Sequence, residues 1–397
     1  MPTSTGPSDV VVVGGGIVGL AVAWRAADAG LAVTVLDPSP GDGATRAAAG
    51  MLAAVSEADF GERDLARLNL ASAARWPAFA ADLAAATGRD VPLLRAGSLA
   101  VAYETDDLAL LRRVLALHQE WGLASVEVSV ADARRREPYL GLRLAGAAVV
   151  EGDLAVDPRG AHAALARALG DAVVRRTAVH LERDAAGRVV AVHDDAGTRH
   201  PAGAVVLATG VVPPAGLLDG VPEVRVPVRP VKGMTLRLDA GPELPLEHVV
   251  RGTVQGRPVY VVPRHPGTGS GPDHREIVVG ATSEERPDDR RAEAGGVFAL
   301  LRDARALVPG IDEAALADVT PRARPATPDN LPLVGATAVP GLLAAVGHGR
   351  NGVLLAPLTA DAVVAELTGA PSPDPALSAA DPCRFVPADP LPEGAAR

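Results

Sequence analysis

The sequence predicts an α/β protein in which a discontinuous Rossmann-like dinucleotide domain is interleaved with a strand-rich domain. Three observations carry this. Residues 10–37 read VVVVGGGIVGLAVAWRAADAGLAVTVLD, a strand, a glycine turn, a helix and a second strand ending in an acid. At 397 residues the chain exceeds the usual size of one core, and its 48% hydrophobic share supports two. Finally, nucleotide-type elements recur at the start, middle and end of the chain, with strand-rich material between them, which fits interleaved domains better than tandem ones.

In the opening segment Gly14, Gly16 and Gly19 stand at G-x-G-x-x-G spacing. Gly14 permits the tight turn, Gly16 removes a side chain that would block a pyrophosphate, and Gly19 lets the helix lie against the strand. The phosphates then meet free N–H groups and the positive end of a helix dipole. Asp37, at the end of the second strand, can accept hydrogen bonds from ribose hydroxyls and disfavours a 2′-phosphate, so NADP is not expected.

Taken in order, the remaining elements are these. A Pro/Gly segment follows Asp37, and small residues from Gly43 to Gly50 would let backbone approach a ligand. Apolar spacing of three and four predicts helices over 61–87 and 106–121, and alternation predicts a strand over 91–103. Asp157 as N-cap and Pro158 at the first position open a helix over 158–170. Strands are expected at 173–182, 188–193 and 203–210, and mostly strands from 224 to 283. The remaining expectations are a helix over 293–307, a strand and glycine turn over 341–352, and a helix from Val353 stopped by Gly369. Beyond 371 the Pro-rich composition predicts a loosely held tail.

The net charge of −10 and the lack of any Lys/Arg cluster argue against a nucleic-acid partner. A single cysteine, Cys383, excludes a disulfide framework, a C-x-x-C redox pair and a thiolate metal site. No metal is expected. No run is apolar and long enough to span a bilayer, so a cytoplasmic protein without a membrane partner is expected. Of 38 basic residues only Lys232 is lysine, and Tyr260 is one of three tyrosines.

Five segments, VVVGGGIVGLAVAWRAADAGLAVTVLD, TRAAAGML, VVLATG, RPATPDNLPLVG and GHGRNGVLLAP, resemble the FAD-dependent D-amino-acid oxidase superfamily, and within it the glycine oxidases of thiamine biosynthesis. The resemblance covers residues 10–369. AAAGML and GHGRNGVLLAP are its most specific parts. It implies a Rossmann-like FAD-binding domain at 1–85, 150–215 and 325–370. A substrate domain on a large antiparallel β-sheet would occupy 86–149 and 216–324, with a tail at 371–397. No second G-x-G-x-x-G unit is present, so a separate NAD(P)H domain is missing and the substrate itself must reduce the flavin.

For non-covalent FAD the resemblance implies Gly14, Gly15, Gly16, Gly19, Asp37, Thr45, Arg46, Ala49, Gly50, Met51, Ala178, Thr209, Gly210, His348, Gly349, Arg350, Asn351, Gly352, Val353 and Leu354. N–H groups of the 348–353 turn could face the flavin's pyrimidine edge, where negative charge builds on reduction. His348 itself has a structural and a catalytic reading. Arg324 matches the arginine that grips the substrate carboxylate through a two-pronged fork. Tyr260 matches a tyrosine near the same carboxylate, and Arg350 a residue lining the pocket. Met51 and Ser283 would border the side-chain space. Two residues depart from the family pattern, Pro258 for a histidine and Ser283 for a methionine. Lys232 is open between a structural role and oxygen activation.

The implied reaction is oxidative deamination of glycine or a similar small amino acid. The Cα hydrogen would leave as hydride to flavin N5 and O2 would reoxidise the flavin, giving hydrogen peroxide. A D-amino-acid or sarcosine-type enzyme is the alternative. A homo-oligomer is expected, with a thiazole synthase as a further partner.

Overall fold

The computed structural model describes residues 8–386, apart from 212 and 220. The first sheet has a parallel centre in the order Leu342–Val346, Arg199–Leu207, Ser8–Val13, Val33–Leu36, Val173–Val174. An antiparallel extension, Ala178–Arg183 and Val189–Asp194, joins the far end of Arg199–Leu207, and Leu333–Ala336 pairs with Leu342–Val346. Helices Ile17–Asp28, Pro158–Leu169 and Ala356–Thr368 cover one face, where Leu20, Val22, Leu165 and Val363 are fully buried in one cluster. Strands covered on both faces need near-continuous apolar runs, which is why Val10 to Val13 show no alternation.

The second sheet has eight strands, in the order Ala315–Ala326, Arg229–Ala240, Arg275–Gly280, Arg257–Pro263, Val249–Val254, Ser98–Ala102, Gly146–Val150, Val126–Val128. All its pairs are antiparallel except Val249–Val254 with Ser98–Ala102. Here alternation sorts the faces. Met234, Leu236 and Leu238 pack with Val261, Val279 and helix Ala294–Leu307, whereas Thr235 and Arg237 point the other way. On that second face Val249, Val262 and Val278 pack with Ala49 and Ala155, and Met51 and Tyr260 border the same cluster.

Several local expectations change. The helix over 61–87 is two helices, Arg63–Ala73 and Trp76–Thr87, because Pro77 opens the second and disfavours continuation through the residues before it. The strand over 91–103 is two short strands in different sheets, because Gly97 turns the chain at φ 86° with Val150 O packed against its Cα. The final helix starts at Ala356 rather than Val353, after a 3₁₀ turn at Gly349–Asn351. The loose tail from 371 is instead packed as far as Phe385. Ala380 and Pro382 are buried in short 3₁₀ helices, and Arg384 pairs with Asp329. Residues 387–397 of that tail lie outside the described residues.

Candidate active site

The glycine turn is built as its spacing demands, and each glycine has a separable reason. A Cβ on Gly14 (φ 113°) would collide with the Ala208 carbonyl, and one on Gly19 with the Gly14 carbonyl. A Cβ on Gly16 would meet only Thr45 Oγ1, at 3.5 Å. Packing within the protein therefore requires Gly14 and Gly19 but not Gly16, whose bare Cα faces space a ligand can use. Helix Ile17–Asp28 begins there with no side-chain cap and no acid in its first turn. Ile17 N–H is taken by Thr45 Oγ1, but the next N–H groups of the first turn have no side-chain acceptor, and these donors with a bare Cα are what an anionic pyrophosphate needs, so the residues present fit a dinucleotide.

The other predicted cofactor residues gather around this turn. Asp37 accepts from Gly15 N–H (2.6 Å) and Ser39 N–H (2.7 Å). Each carboxylate oxygen keeps a lone pair for a ribose hydroxyl. Thr45 Oγ1 accepts from Ile17 N–H at 3.0 Å, which ties the short helix Ala44–Ala47 to the turn. Thr209 and Gly210 follow Ala208, the residue after strand Arg199–Leu207 whose carbonyl backs Gly14. Ala178 is buried in the cluster that holds Leu36 and is paired with Asp194, so the structure does not open it toward the turn.

At the other end, His348 pairs with Ala326 through an isolated antiparallel bridge, which seats the GHGRNG turn beside the strand that carries Arg324. Gly349 has φ 56°, while Val353 and Leu354 are buried in the main core. Ser72 Oγ (2.6 Å) and Trp76 Nε1 (3.0 Å) both donate to the Leu354 carbonyl. His348 is buried and contacts Thr359 Oγ1 through Nε2 at 2.9 Å. Burial pushes its pKa down to about 4, so the ring is neutral and held, which favours the structural alternative. A base whose folded pKa lies below its ordinary 6.5 contributes stability above that pH and loses it as pH falls toward 4. Roughly 3 kcal/mol of unfolding free energy should disappear across that window. Urea unfolding of His348→Asn at pH 4.5 and 7.5 should show a clearly smaller difference than wild type, and an equal difference would refute the assignment.

The substrate-side residues lie on the inward face of the second sheet. One cross-sheet row contains Thr235, Gly280, Tyr260 and Arg251, in register across four strands. Tyr260 lies over Gly280, where a Cβ would strike its ring. Burial pushes the Tyr260 phenol above its ordinary value while the bonded Arg324 guanidinium pulls the other way, so at neutral pH it keeps its proton as a donor. Arg324 stands two residues from Arg322 on the same face of its strand, and its guanidinium lies over Gly233, which has no side chain to displace it. The two arginines have different fates. Arg322 is committed to Asp42, through the carbonyl and the carboxylate, both at 2.7 Å. Arg324 donates to the Thr282 carbonyl at 3.2 Å and bonds the Tyr260 hydroxyl, and no carboxylate among the described residues pairs with it.

Arg350 is placed at the site but its charge is engaged. It pairs with Glu57 at 2.8 Å and with Glu62. Met51 joins the apolar cluster beside Tyr260. Ser283 is exposed, next to the Thr282 carbonyl that Arg324 uses. Pro258, also exposed, lies beyond the end of the ladder formed with Arg275–Gly280. Lys232 is on the opposite face of its strand from Gly233 and Arg324, buried, with Nζ bonded to Asp289, to the Arg291 carbonyl (2.8 Å) and to Glu293 (3.1 Å). Its structural alternative is the one the geometry supports.

Two groups of residues escaped the sequence reading. Thr235 Oγ1 donates to the Ala47 carbonyl (2.9 Å), Arg264 Nη2 to that of Ala49 (2.6 Å), and Arg237 Nη2 to that of Arg46 (3.4 Å). Three side chains of the second sheet thus hold carbonyls of the 46–49 segment. Glu276 pairs with both arginines, and burial pushes Arg264 down to about 10. Period-two alternation over Tyr260, Val262 and Arg264 is a signal that could have found the last. The second group is Glu57 with Arg251, described below.

A glycine turn fitted to a dinucleotide, and a neighbouring sheet whose Arg324 has no carboxylate partner among the described residues, form an arrangement that a cofactor-dependent oxidoreductase can use. The chain belongs to the FAD dependent oxidoreductase family called DAO, whose family model matches residues 9–367. It uses FAD and is an amino-acid oxidase. It is 35% identical over 358 residues to glycine oxidase of Geobacillus kaustophilus, covering 88% of this chain and 90% of that one. It is 33% identical to the bifunctional protein ThiO/ThiG of Nostoc sp., of which it spans about half, 54%. The crystal structure of the Geobacillus kaustophilus enzyme superposes with a TM-score of 0.85 at 32% identity, covering 96% of this chain and all of that one. No helix among the described residues is long and apolar enough to cross a membrane.

Proposed function

We propose that the protein oxidatively deaminates glycine or a similarly small amino acid. The observation that carries this is the unpaired Arg324 fork beside the Tyr260 hydroxyl, on the face that the glycine-turn segments border. Arg324 and Tyr260 bind the carboxylate, two parallel charge-assisted bonds fixing orientation as well as affinity. Met51 limits the side-chain space. FAD, held by the glycine turn and Asp37, would supply the two-electron acceptor for the Cα–H bond and the route for those electrons to O2. Such a step depends on alignment more than on a base, and near-attack geometry accounts for several kcal/mol of a barrier. The held, neutral His348 is consistent with that.

The domain division given above and a cytoplasmic homo-oligomer remain part of this reading. So does delivery of the imine to a thiazole synthase, which the ThiO/ThiG relative supports, since about half its length has no counterpart here. A D-amino-acid or sarcosine-type preference is the competing substrate assignment. Anaerobic addition of glycine, sarcosine, D-alanine and D-proline to the yellow protein tests the proposal. Glycine should bleach it fastest, and air should restore the colour with one peroxide per turnover. Bleaching by none of the four would overturn the reading, and dye reduction without peroxide would make the enzyme a dehydrogenase.

A further inference from the structure

Beside the carboxylate clamp lies a second cluster of charge that the proposed reaction leaves unexplained. Arg251 is the cross-strand neighbour of Tyr260 and lies on the same face, so their Cβ atoms are about 5 Å apart. Arg350 comes from the turn whose His348 bridges Ala326, two residues from Arg324. Between these two arginines sits Glu57, one carboxylate oxygen on Arg251 and the other at 2.8 Å from Arg350 Nε. Glu62 closes the far side of Arg350, itself held by Asn330 Nδ2 at 2.8 Å. Two guanidinium charges are thus matched by two carboxylates, and Arg324 alone is left without one. Asp153, buried under Ser56, adds its field to Arg251.

Glu57 is mostly buried, its side chain 12% exposed, so this matching is not a solvated surface pairing. Burial alone would raise its pKa, but Arg251 and Arg350 outweigh that and hold the carboxyl down to about 2. It therefore carries its charge at neutral pH.

We propose that Glu57 is a specificity-determining residue: together with Glu62 it matches the charge of Arg251 and Arg350, leaves Arg324, of these three arginines, as the cation available to a carboxylate, and so restricts the site to monocarboxylic amines. The inference rests on the substrate reading above. With Glu57 neutral, Glu62 would still face Arg350 and Asp153 would still act on Arg251, but the cluster beside Arg324 would carry one more positive charge, and a second carboxylate on the ligand would find it.

The test uses holoenzyme and ligands that cannot be oxidised. Acetate and malonate are titrated against the flavin absorbance of wild type, Glu57→Gln and Glu57→Asp. In Glu57→Gln the malonate-to-acetate affinity ratio should rise at least about tenfold, the scale of one unit charge at close range in a half-buried site. Glu57→Asp, which keeps the charge, should return toward wild type. The kinetic counterpart is a lower KM for iminodiacetate relative to that for glycine. A ratio within twofold of wild type, in a variant that still binds flavin, would overturn the proposal. If Glu57→Gln does not retain flavin, Glu62→Gln releases Arg350 from its other side and the same ratio decides. The two readings fail separately, because wild type unable to oxidise glycine sinks the substrate assignment while the acetate and malonate titration still reports the charge balance.

Discussion

Arg324→Ala should lower kcat/KM for glycine by about 10²- to 10⁴-fold. Each hydrogen bond to a charged group contributes roughly 1.5–3 kcal/mol and the fork supplies two, which gives about 3–6 kcal/mol before any reorganisation is allowed for. Little of this should come from the fold, because the guanidinium bonds neutral groups, the Thr282 carbonyl at 3.2 Å and the Tyr260 hydroxyl, and no ion pair among the described residues is broken by its removal. The loss should appear mainly in KM, as binding common to ground and transition states disappears, with a further drop in kcat from a substrate no longer aligned. Arg324→Lys restores charge without the planar fork and should recover only part of the activity. Flavin content and melting temperature should match wild type in both. Steady-state kinetics with less than a threefold loss in Arg324→Ala would remove the clamp from the mechanism. Gly233→Ala offers an independent check, since its Cβ would land on the guanidinium and displace it. It should reproduce a weaker version of the same defect with Arg324 intact.

How far such a site can be read without coordinates depends on whether its residues are adjacent in sequence. The turn at Gly14–Gly19, Asp37, and the GHGRNG segment are each local, so spacing was enough. The strand Ala315–Ala326 that carries Arg324 was not predicted as a strand in the sequence reading, because Pro321 and Pro325 normally argue against one. The fold tolerates them since this strand lies at the sheet edge with a single neighbour, Arg229–Ala240. Lys232 could have been settled by alternation: it shares the even-numbered face of that neighbour with Met234 and Leu236, opposite Thr235 and Arg237. Glu57 and Arg251 could not. Neither sits in a recognisable motif, and their meeting depends on pairing 194 residues apart in sequence. Charges that find each other only through sheet register leave no local trace.

Gly16→Ala and Gly19→Ala should fail in different ways, although both alter the same six-residue pattern. At Gly19 the added methyl would overlap the Gly14 carbonyl, a backbone atom fixed by the strand beneath it, so helix Ile17–Asp28 has to move off the sheet. Overpacking of this kind costs about 1–3 kcal/mol and more where backbone cannot yield, and it is felt with or without ligand. The apoprotein of Gly19→Ala should therefore melt well below wild type. At Gly16 the backbone is ordinary, φ −73°, and the nearest protein atom to a new Cβ is 3.5 Å away. Losing glycine at an N-cap costs at most about 1 kcal/mol, so the Gly16→Ala apoprotein should remain close to wild type. The methyl instead occupies the approach of the pyrophosphate. At about 1–3 kcal/mol for overpacking, FAD affinity should fall by roughly 10- to 100-fold. Fluorescence titration of FAD into the two apoproteins, alongside their thermal melts, separates these outcomes. If Gly16→Ala bound FAD as tightly as wild type, the space in front of that Cα would not be where the phosphates lie.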